Sequence, residues 1–503
     1  MERRALLAIT LSLLVLVAWS TFVSKTQPIE NKWVTQKIPE PISSPNQPLT
    51  KQTSDAVSPA APLVFSKDYL EVNFDSASAS IQDAVFHNYQ DHRFKLYQGF
   101  FFGDKNWKFK KESVGLDKVS FTYQDANKQI SKDFIFSNSS YSLELRIKIK
   151  NLSTNPLLTN FPLVLGSLKL NGGPATVQFQ DLAVATPEKV LHLNARKDAF
   201  YAETKFLGLR DRYFCAIVEP VNEVHEGFIK KISRDESEAG LKLKEKILNS
   251  GESAEYNYRI YLGPQDLKLI KQADPAWTAV LHYGIFDFIS HILLQVLELA
   301  HKIVRNWGWA IIILSVLIYL ILYPLTLKQM RSMKEMQVLQ PKIQELQKAH
   351  KDNPQKLNRE IMGLYREHKV NPLGGCLPLL LQMPIFFALY QVLSRAVALK
   401  GARFLWIKDL SSPDRLFTLP TALPIIGNEI NILPILMMIG MFLQQKKSTM
   451  QTATKEQAEQ QKIMLILFPL MFGFIFYHMP SGLVLYWFTN SVLTLIYQFK
   501  VTH

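Results

Sequence analysis

Residues 309–327 read WAIIILSVLIYLILYPLTL, 19 consecutive positions without a charge. At about 1.5 Å per helical residue the run matches the ~30 Å of hydrocarbon in a bilayer, so it is read as a transmembrane helix. The next segment is basic. Residues 328–369 carry ten Lys or Arg against five Asp or Glu, and NPLGGCLPLLLQMPIFFALY then returns the chain to apolar character from Asn371 to Tyr390. Lys and Arg collect on the cytoplasmic side of spans. The chain therefore crosses, loops through the cytoplasm and crosses back.

Four other apolar stretches fit the same scheme: 376–397, 430–444, 463–477 and 483–499 join the span at 308–327. A further run over 5–23 follows Arg3 and Arg4 and is long for a secretion signal, so 1–24 is read as an uncleaved anchor. Six spans with both termini in the cytoplasm satisfy the charge rule: the inner segment 446–462 has four Lys against two Glu, whereas 399–430 is nearly balanced. Spans 430–444 and 463–477 are short, which implies a locally thinned bilayer or shielding by neighbours. The formal charge of +14 lies largely beside these spans, which argues against DNA as a partner. Two cysteines, Cys215 and Cys376, fall in unlike regions, so an internal disulfide is not expected.

Residues 25–61 are rich in Pro, Gln, Ser and Thr and read as a tether. From 62 to 275 the apolar period is two. Leu143, Leu145, Ile147 and Ile149 alternate with Ser142, Glu144, Arg146 and Lys148, and turn signals such as Asn171-Gly172-Gly173-Pro174 separate similar runs, so a β-sandwich outside the cytoplasm is the economical fold. Its Asp83, His87, Asp91, His92, His192 and Asp211 stand in no spacing that specifies a metal or an acid–base pair and read as solvated surface. No enzyme, cofactor or small-molecule substrate is indicated. Residues 276–306 repeat apolar side chains at three and four, with Ile285, Phe288, Ile292, Leu293, Val296, Ala300 and Ile303 opposite Asp287, His291, Glu298 and Lys302. That is an amphipathic helix lying along the membrane surface, or else packed on the sandwich.

Within the core, 307–503, the spans have polar faces. Ser315, Tyr319, Tyr323 and Thr326 recur at four, four and three; Tyr486, Asn490, Thr494 and Tyr497 do the same, and Gln382 lies inside its own span. Such groups either glue helix to helix or line a wet concavity open to the cytoplasm. On the second reading Ser315, Tyr319, Tyr323, Gln382, Tyr486, Trp487 and Asn490 line the groove. The segment 328–370 reads as a helical hairpin, its second arm capped by Asn353 with Pro354 behind it. Met333 and Met336 on its apolar stripe are packing residues or an adaptable client surface, and Lys342, Lys348 and Lys351 form its basic side.

Three segments, YPLTLKQMRSMKEMQVLQPKIQEL, VNPLGGCLPLLLQMPIFFALY and FPLMFGFIFYHMPSGLVLYWFTN, together resemble the membrane core of the YidC/Oxa/Alb family of membrane protein insertases, in its Gram-negative form with a large periplasmic domain. The resemblance implies a polytopic α-helical protein of the bacterial inner membrane with a five-helix insertase core, a hydrophilic groove, a cytoplasmic hairpin and a periplasmic β-sandwich similar to sugar mutarotases. It implies nascent membrane proteins as clients, with the Sec translocon, the ribosome and the lipid bilayer as partners. One departure matters: the groove arginine common in the family aligns with Tyr319, so a buried positive charge is not expected here. The chain also lacks the basic tail some members carry, which leaves ribosome contact to the hairpin and to Lys446, Lys447 and Lys455. The rival readings are a membrane-anchored periplasmic carbohydrate-binding protein, for which five further spans are superfluous, and a transporter, for which no internal repeat is present.

Overall fold

Alternating strands of the 62–275 region pair into antiparallel sheets. The computed structural model describes residues 63–502 except 139, 170–178, 196, 222–224, 351–352, 369, 371–376, 424–426 and 449–454. The anchor expected over 1–24, the linker over 25–61, the turn at 171–174, Lys351 and Cys376 lie outside the described residues.

The larger sheet has nine strands, from Val190–Leu193 at one edge to Lys110–Val114 at the other, with Ser253–Pro264 and Ser142–Asn151 paired near its middle. Tyr256 lies opposite Ile147 and Tyr258 opposite Leu145, so one apolar face is continuous. Against it lie a five-stranded sheet built around Pro162–Lys169 and Glu236–Lys242, and a four-stranded meander from Leu63–Lys67 to His92–Gly99. Rings bridge the layers: Phe86 stacks on Phe214 at 4.2 Å, and Phe74 meets Phe134 edge-on at 5.1 Å. The expected sandwich is present. One inward position breaks the pattern, since Lys132 shares the buried face with Ile130 and Phe134. Its ammonium donates to the carbonyls of Ala79 and Phe100, two residues in left-handed backbone conformation at φ 50° and 58°. A buried ammonium is tolerated only when hydrogen-bonded. Burial pushes its pKa well below the usual lysine range.

Eight helices follow among the described residues: α1 Leu267–Ala273, α2 Asp287–Val304, α3 Trp307–Ala349, α4 Pro354–Glu367, α5 Leu377–Arg395, α6 Ile432–Ser448, α7 Lys455–Phe476 and α8 Ser481–Thr502. By length and composition one of them contains a stretch able to cross a membrane, Trp307–Leu327 at mean hydropathy 2.5; Lys462–Phe476 is a shorter apolar stretch. The span and the first arm of the expected hairpin are a single helix of 43 residues, with Pro324 and Pro341 inside it. Lys, Gln, Glu, Met and Leu after Leu327 are good helix formers, so nothing local ends the helix where the apolar run stops.

A second core gathers Leu293, Leu297 and Ala300 of α2 with side chains of α3, α5, α6 and α8. The apolar stripe expected on α2 is divided. Leu293, Leu297 and Ala300 face α3 and α5, while Phe288, Ile292 and Ile303 are exposed, because leucines at 294, 297 and 299 carry apolar character around most of the helix. The helix packs on the core and keeps an open apolar side. At one end of the bundle the links converge: Arg212 of the sandwich reaches the end of α5, Asp414 accepts the first amides of α6 at 2.9 Å, Asn431 binds Tyr477 just past α7, and Gly482 N donates to Leu410 O. Successive core helices therefore run in alternating directions.

Candidate functional site

Helices α3, α5 and α8 pack against one another, and the polar positions read from the sequence lie on them. Four hydroxyls donate to the backbone of their own helices. Ser315 Oγ donates to Ile311 O at 2.7 Å, Thr326 to Leu322 O at 3.2 Å, Thr489 to Leu485 O and Thr494 to Asn490 O at 2.8 Å. In an apolar helix the preceding turn is the nearest acceptor, and these residues use it. Ser315, expected in the groove, is fully buried and turned onto its own backbone.

The remaining groups form two sets. Tyr319 and Tyr323 have ring centroids 6.4 Å apart, and Tyr323 meets Tyr497 of α8 edge-on at 5.3 Å. The Tyr319 hydroxyl is buried and faces the Thr494 side chain of α8, without a hydrogen bond of normal geometry among the described residues. In the second set Gln382 Nε2 donates to Tyr486 Oη at 2.5 Å, and the Asn490 side chain faces the same hydroxyl. Trp487 belongs elsewhere: it packs on Phe386, Phe472 and Phe476 at 5.3–5.6 Å, an aromatic cluster shared by α5, α7 and α8. Tyr497, three residues after Thr494 on the polar face of α8, joins the first set through its contact with Tyr323. Residues 307–327, 377–394 and 481–499 contain no Asp, Glu, Lys or Arg.

The charged chemistry lies at the other end, where the sandwich meets the bundle. Arg210, 2% exposed, binds both carboxylate oxygens of Asp181 and donates to His282 O at 2.8 Å. Arg395, at the end of α5, stands 4.0 Å from the same carboxylate and 3.4 Å from His282 O. Burial raises the pKa of Asp181, but the charge and hydrogen bonds of Arg210 outweigh it and hold the carboxyl below the usual range. Arg212 donates to Ser394 O at 2.6 Å and Ser411 O at 3.0 Å, placing a guanidinium at the negative end of α5. Beside them the His192 and His282 rings stack at 4.4 Å, and His282 and His291 flank Asp287 at 3.4 and 3.5 Å. Burial disfavours ionisation of Asp287, yet hydrogen bonds from His282, His291 and Tyr283 N hold it far below the usual carboxylate range. Burial takes His192 down to about 4.

His192 is thus not surface, and His92 is stacked on Phe214 at 4.7 Å; both departures from the solvated reading arise because partners distant in sequence cover them. His87 and Asp91 form an exposed pair, as a solvated surface would. Among the described residues no group of three His, Cys, Asp or Glu is arranged to hold a metal.

Asn353 caps α4 by accepting from Lys356 N, with Pro354 at the first turn, as its sequence implies. Met336 packs with Ile361, Leu364 and Tyr365 against Leu339, Ile343 and Val370. Lys342 is exposed beside His368 at 3.1 Å, Lys348 is exposed, and Met333 lies on α3.

Residues 103–296 match the family described as the YidC periplasmic domain, and residues 299–503 the family described as the 60Kd inner membrane protein. A membrane protein insertase YidC of Syntrophobacter fumaroxidans is 35% identical over 396 residues, 76% of this chain and 70% of the relative. One from Geobacter sulfurreducens is 36% identical over 403 residues, with the same two coverages. One from Pelobacter propionicus is 30% identical over 545 residues, 100% of this chain and 99% of the relative. The crystal structure of YidC from Thermotoga maritima aligns at a TM-score of 0.34 and 17% identity, covering 88% of this chain and 98% of that one. The chain belongs to the YidC family of membrane protein insertases.

Proposed function

We propose that this insertase crosses the inner membrane six times, with its sandwich in the periplasm and both termini in the cytoplasm, and that it receives clients through a neutral groove between α3, α5 and α8. Tyr319, Tyr323, Gln382, Tyr486, Asn490 and Tyr497 line the groove. The observation that carries the reading is a set of buried neutral polar groups, Tyr319 facing Thr494 and Gln382 donating to Tyr486, on helix segments that hold no charge. A buried polar group whose hydrogen bond is poorly made forfeits part of the about 1–3 kcal/mol that a full partner restores, and a polar client segment recovers it when it binds there. Lys447 lies over the Phe499 ring, so the basic end of α6 stands beside the end of α8 and marks the cytoplasmic mouth. The apolar run Lys462–Phe476 spans only about 22 Å at the helical rise, consistent with a thinned bilayer there.

A hydrophilic tail of a nascent membrane protein enters this mouth, and its apolar segment slides along the lipid-facing side of the helices into the bilayer. No covalent bond is made or broken. Burial of the client helix supplies the free energy; the groove lowers the barrier for the polar flank, where a charge at the bilayer centre costs ~3 kcal/mol. The same cycle runs alone or beside the Sec translocon, with exposed Lys342 and Lys348 on the hairpin available to a ribosome.

The test is insertion of a single-span protein with a short acidic N-terminal tail into liposomes holding the purified chain, scored by protease protection. Protection well above that in empty liposomes, with Tyr319 in place, is the expected result. Protection that appears only after Tyr319→Arg would overturn the neutral groove.

A further inference from the structure

Between α5 and α6 the chain folds a two-residue hairpin whose tip is apolar and outward. Phe404 N donates to Ile407 O at 2.9 Å and Ile407 N to Phe404 O at 2.8 Å, leaving Leu405 and Trp406 at the turn. Leu405 takes a left-handed backbone conformation, φ 51°, and is 73% exposed. A bulky side chain rarely adopts that conformation. The flanking residues show that the base, not the tip, is held by protein: Phe404 and Ile407 are buried in the second core, and Trp406 Nε1 donates to Asp414 at 3.2 Å.

The base is also fixed to the first turn of α3. Asn306 Nδ2 donates to Arg403 O at 3.2 Å, and Trp309 meets the Phe404 ring edge-on at 5.5 Å. A Cβ at Gly308 would come within 2.0 Å of that ring, so the close approach requires glycine. The tip therefore stands level with the start of the apolar span, beside Trp309, itself half exposed. Arg403 and Lys408 flank the turn; both are exposed and neither is ion-paired among the described residues. An apolar tip between two free cations, at the height where a tryptophan marks a span's end, matches the headgroup layer of a bilayer, with phosphates for the cations and upper acyl chains for the leucine.

We infer that the turn 403–408 inserts Leu405 into the outer leaflet of the membrane, so that the bundle is held at a set depth on its periplasmic side. This inference rests on α3 crossing the bilayer from Trp307 onward, and the experiment separates the two. Single cysteines at Leu405, Leu116 and Leu317 are introduced with Cys376 replaced by Ser (C376S), Cys215 being fully buried, and are labelled with an environment-sensitive dye. Leu116 is exposed on the sandwich, and Leu317 lies about 15 Å along the span from Trp307. Each protein is reconstituted in phosphatidylethanolamine–phosphatidylglycerol vesicles and quenched by aqueous iodide or by lipids carrying nitroxides at shallow or deep acyl positions. The expected result is that the label at 405 resists iodide several-fold better than that at 116 and is quenched most by shallow nitroxides, roughly 5–10 Å into the boundary. A 405 label as open to iodide as 116, with 317 quenched by deep nitroxides, would overturn the inserted turn and leave the span standing. A 317 label open to iodide would remove the span and the inference together.

Discussion

The two ends of the bundle solve the burial of polar groups in opposite ways. At the periplasmic end Arg210, Arg395 and Arg212 each find a carboxylate or a carbonyl from a segment far away in sequence, and Asp181 finds the guanidiniums of Arg210 and Arg395. On the three helix segments of the proposed groove there is no charge, several hydroxyls satisfy themselves on the preceding turn, and the Tyr319 hydroxyl faces only Thr494, without a hydrogen bond of normal geometry among the described residues. A paired buried charge fixes position, because moving either partner strands the other. A neutral hydroxyl held by a poorly made hydrogen bond fixes little and leaves a better one for a guest. On the proposed reading the protein is clamped where sandwich and bundle meet and left open where clients would pass.

The clamp is the place to break this contrast most severely. Asp181→Ala leaves Arg210 buried without its carboxylate and is expected to cost about 3–5 kcal/mol, read as a lower unfolding midpoint of the full chain in detergent. Adding Arg210→Met should recover much of that loss, since no charge then remains stranded. If the single variant melts like the parent, the clamp is decoration.

The groove should behave with the opposite sign. Tyr319→Phe removes a hydroxyl that faces only Thr494, with no hydrogen bond of normal geometry among the described residues, so the unfolding midpoint is little changed, while insertion of a polar-tailed client falls several-fold, about 1 kcal/mol or more of lost hydrogen bonding. Both readouts come from one preparation. A parallel fall in stability would make Tyr319 a packing residue and close the groove as a client path.

The smallest effect is a slope. In the unfolded chain His192 takes up a proton near pH 6.5, whereas burial in the fold delays uptake to about 4. A folded pKa below the unfolded one means that stability is lost as pH falls from about 6.5 towards 4. His291 is held above its ordinary value by its hydrogen bond to Asp287 and works the other way, losing its contribution as pH rises. His192→Gln should therefore flatten the acid side of the midpoint-against-pH curve. An unchanged curve would show that the His192–His282 stack bears no load at the seat.

Much of the architecture was legible because it rests on local periodicity. The two-residue alternation of Leu143, Leu145, Ile147 and Ile149 and the 19-residue uncharged run each require one kind of element, whatever surrounds them. The Asn353–Pro354 cap reads equally well, since all its partners lie within one turn. Boundaries were less legible. The apolar run stops at Leu327 but α3 continues to Ala349, as helix propensity does not change with polarity. The candidate site was half legible: four-residue spacing selects a helix face, yet Ser315 turns inward on its own carbonyl and Trp487 joins the phenylalanines.

Sequence patterning alone thus settles a β-sandwich, an uncharged apolar helix, the absence of charge from 307–327, 377–394 and 481–499, and membership of an insertase family, because each follows from neighbours along the chain or from motif order. Which hydroxyls remain free, and which charges are paired, emerges only in the folded molecule. Asp181 meets Arg210 and Arg395, and Tyr323 meets Tyr497, across separations of 29 to more than 200 residues. No periodicity encodes such contacts; they exist because sheet and bundle close on each other and leave each buried polar group either a partner or none.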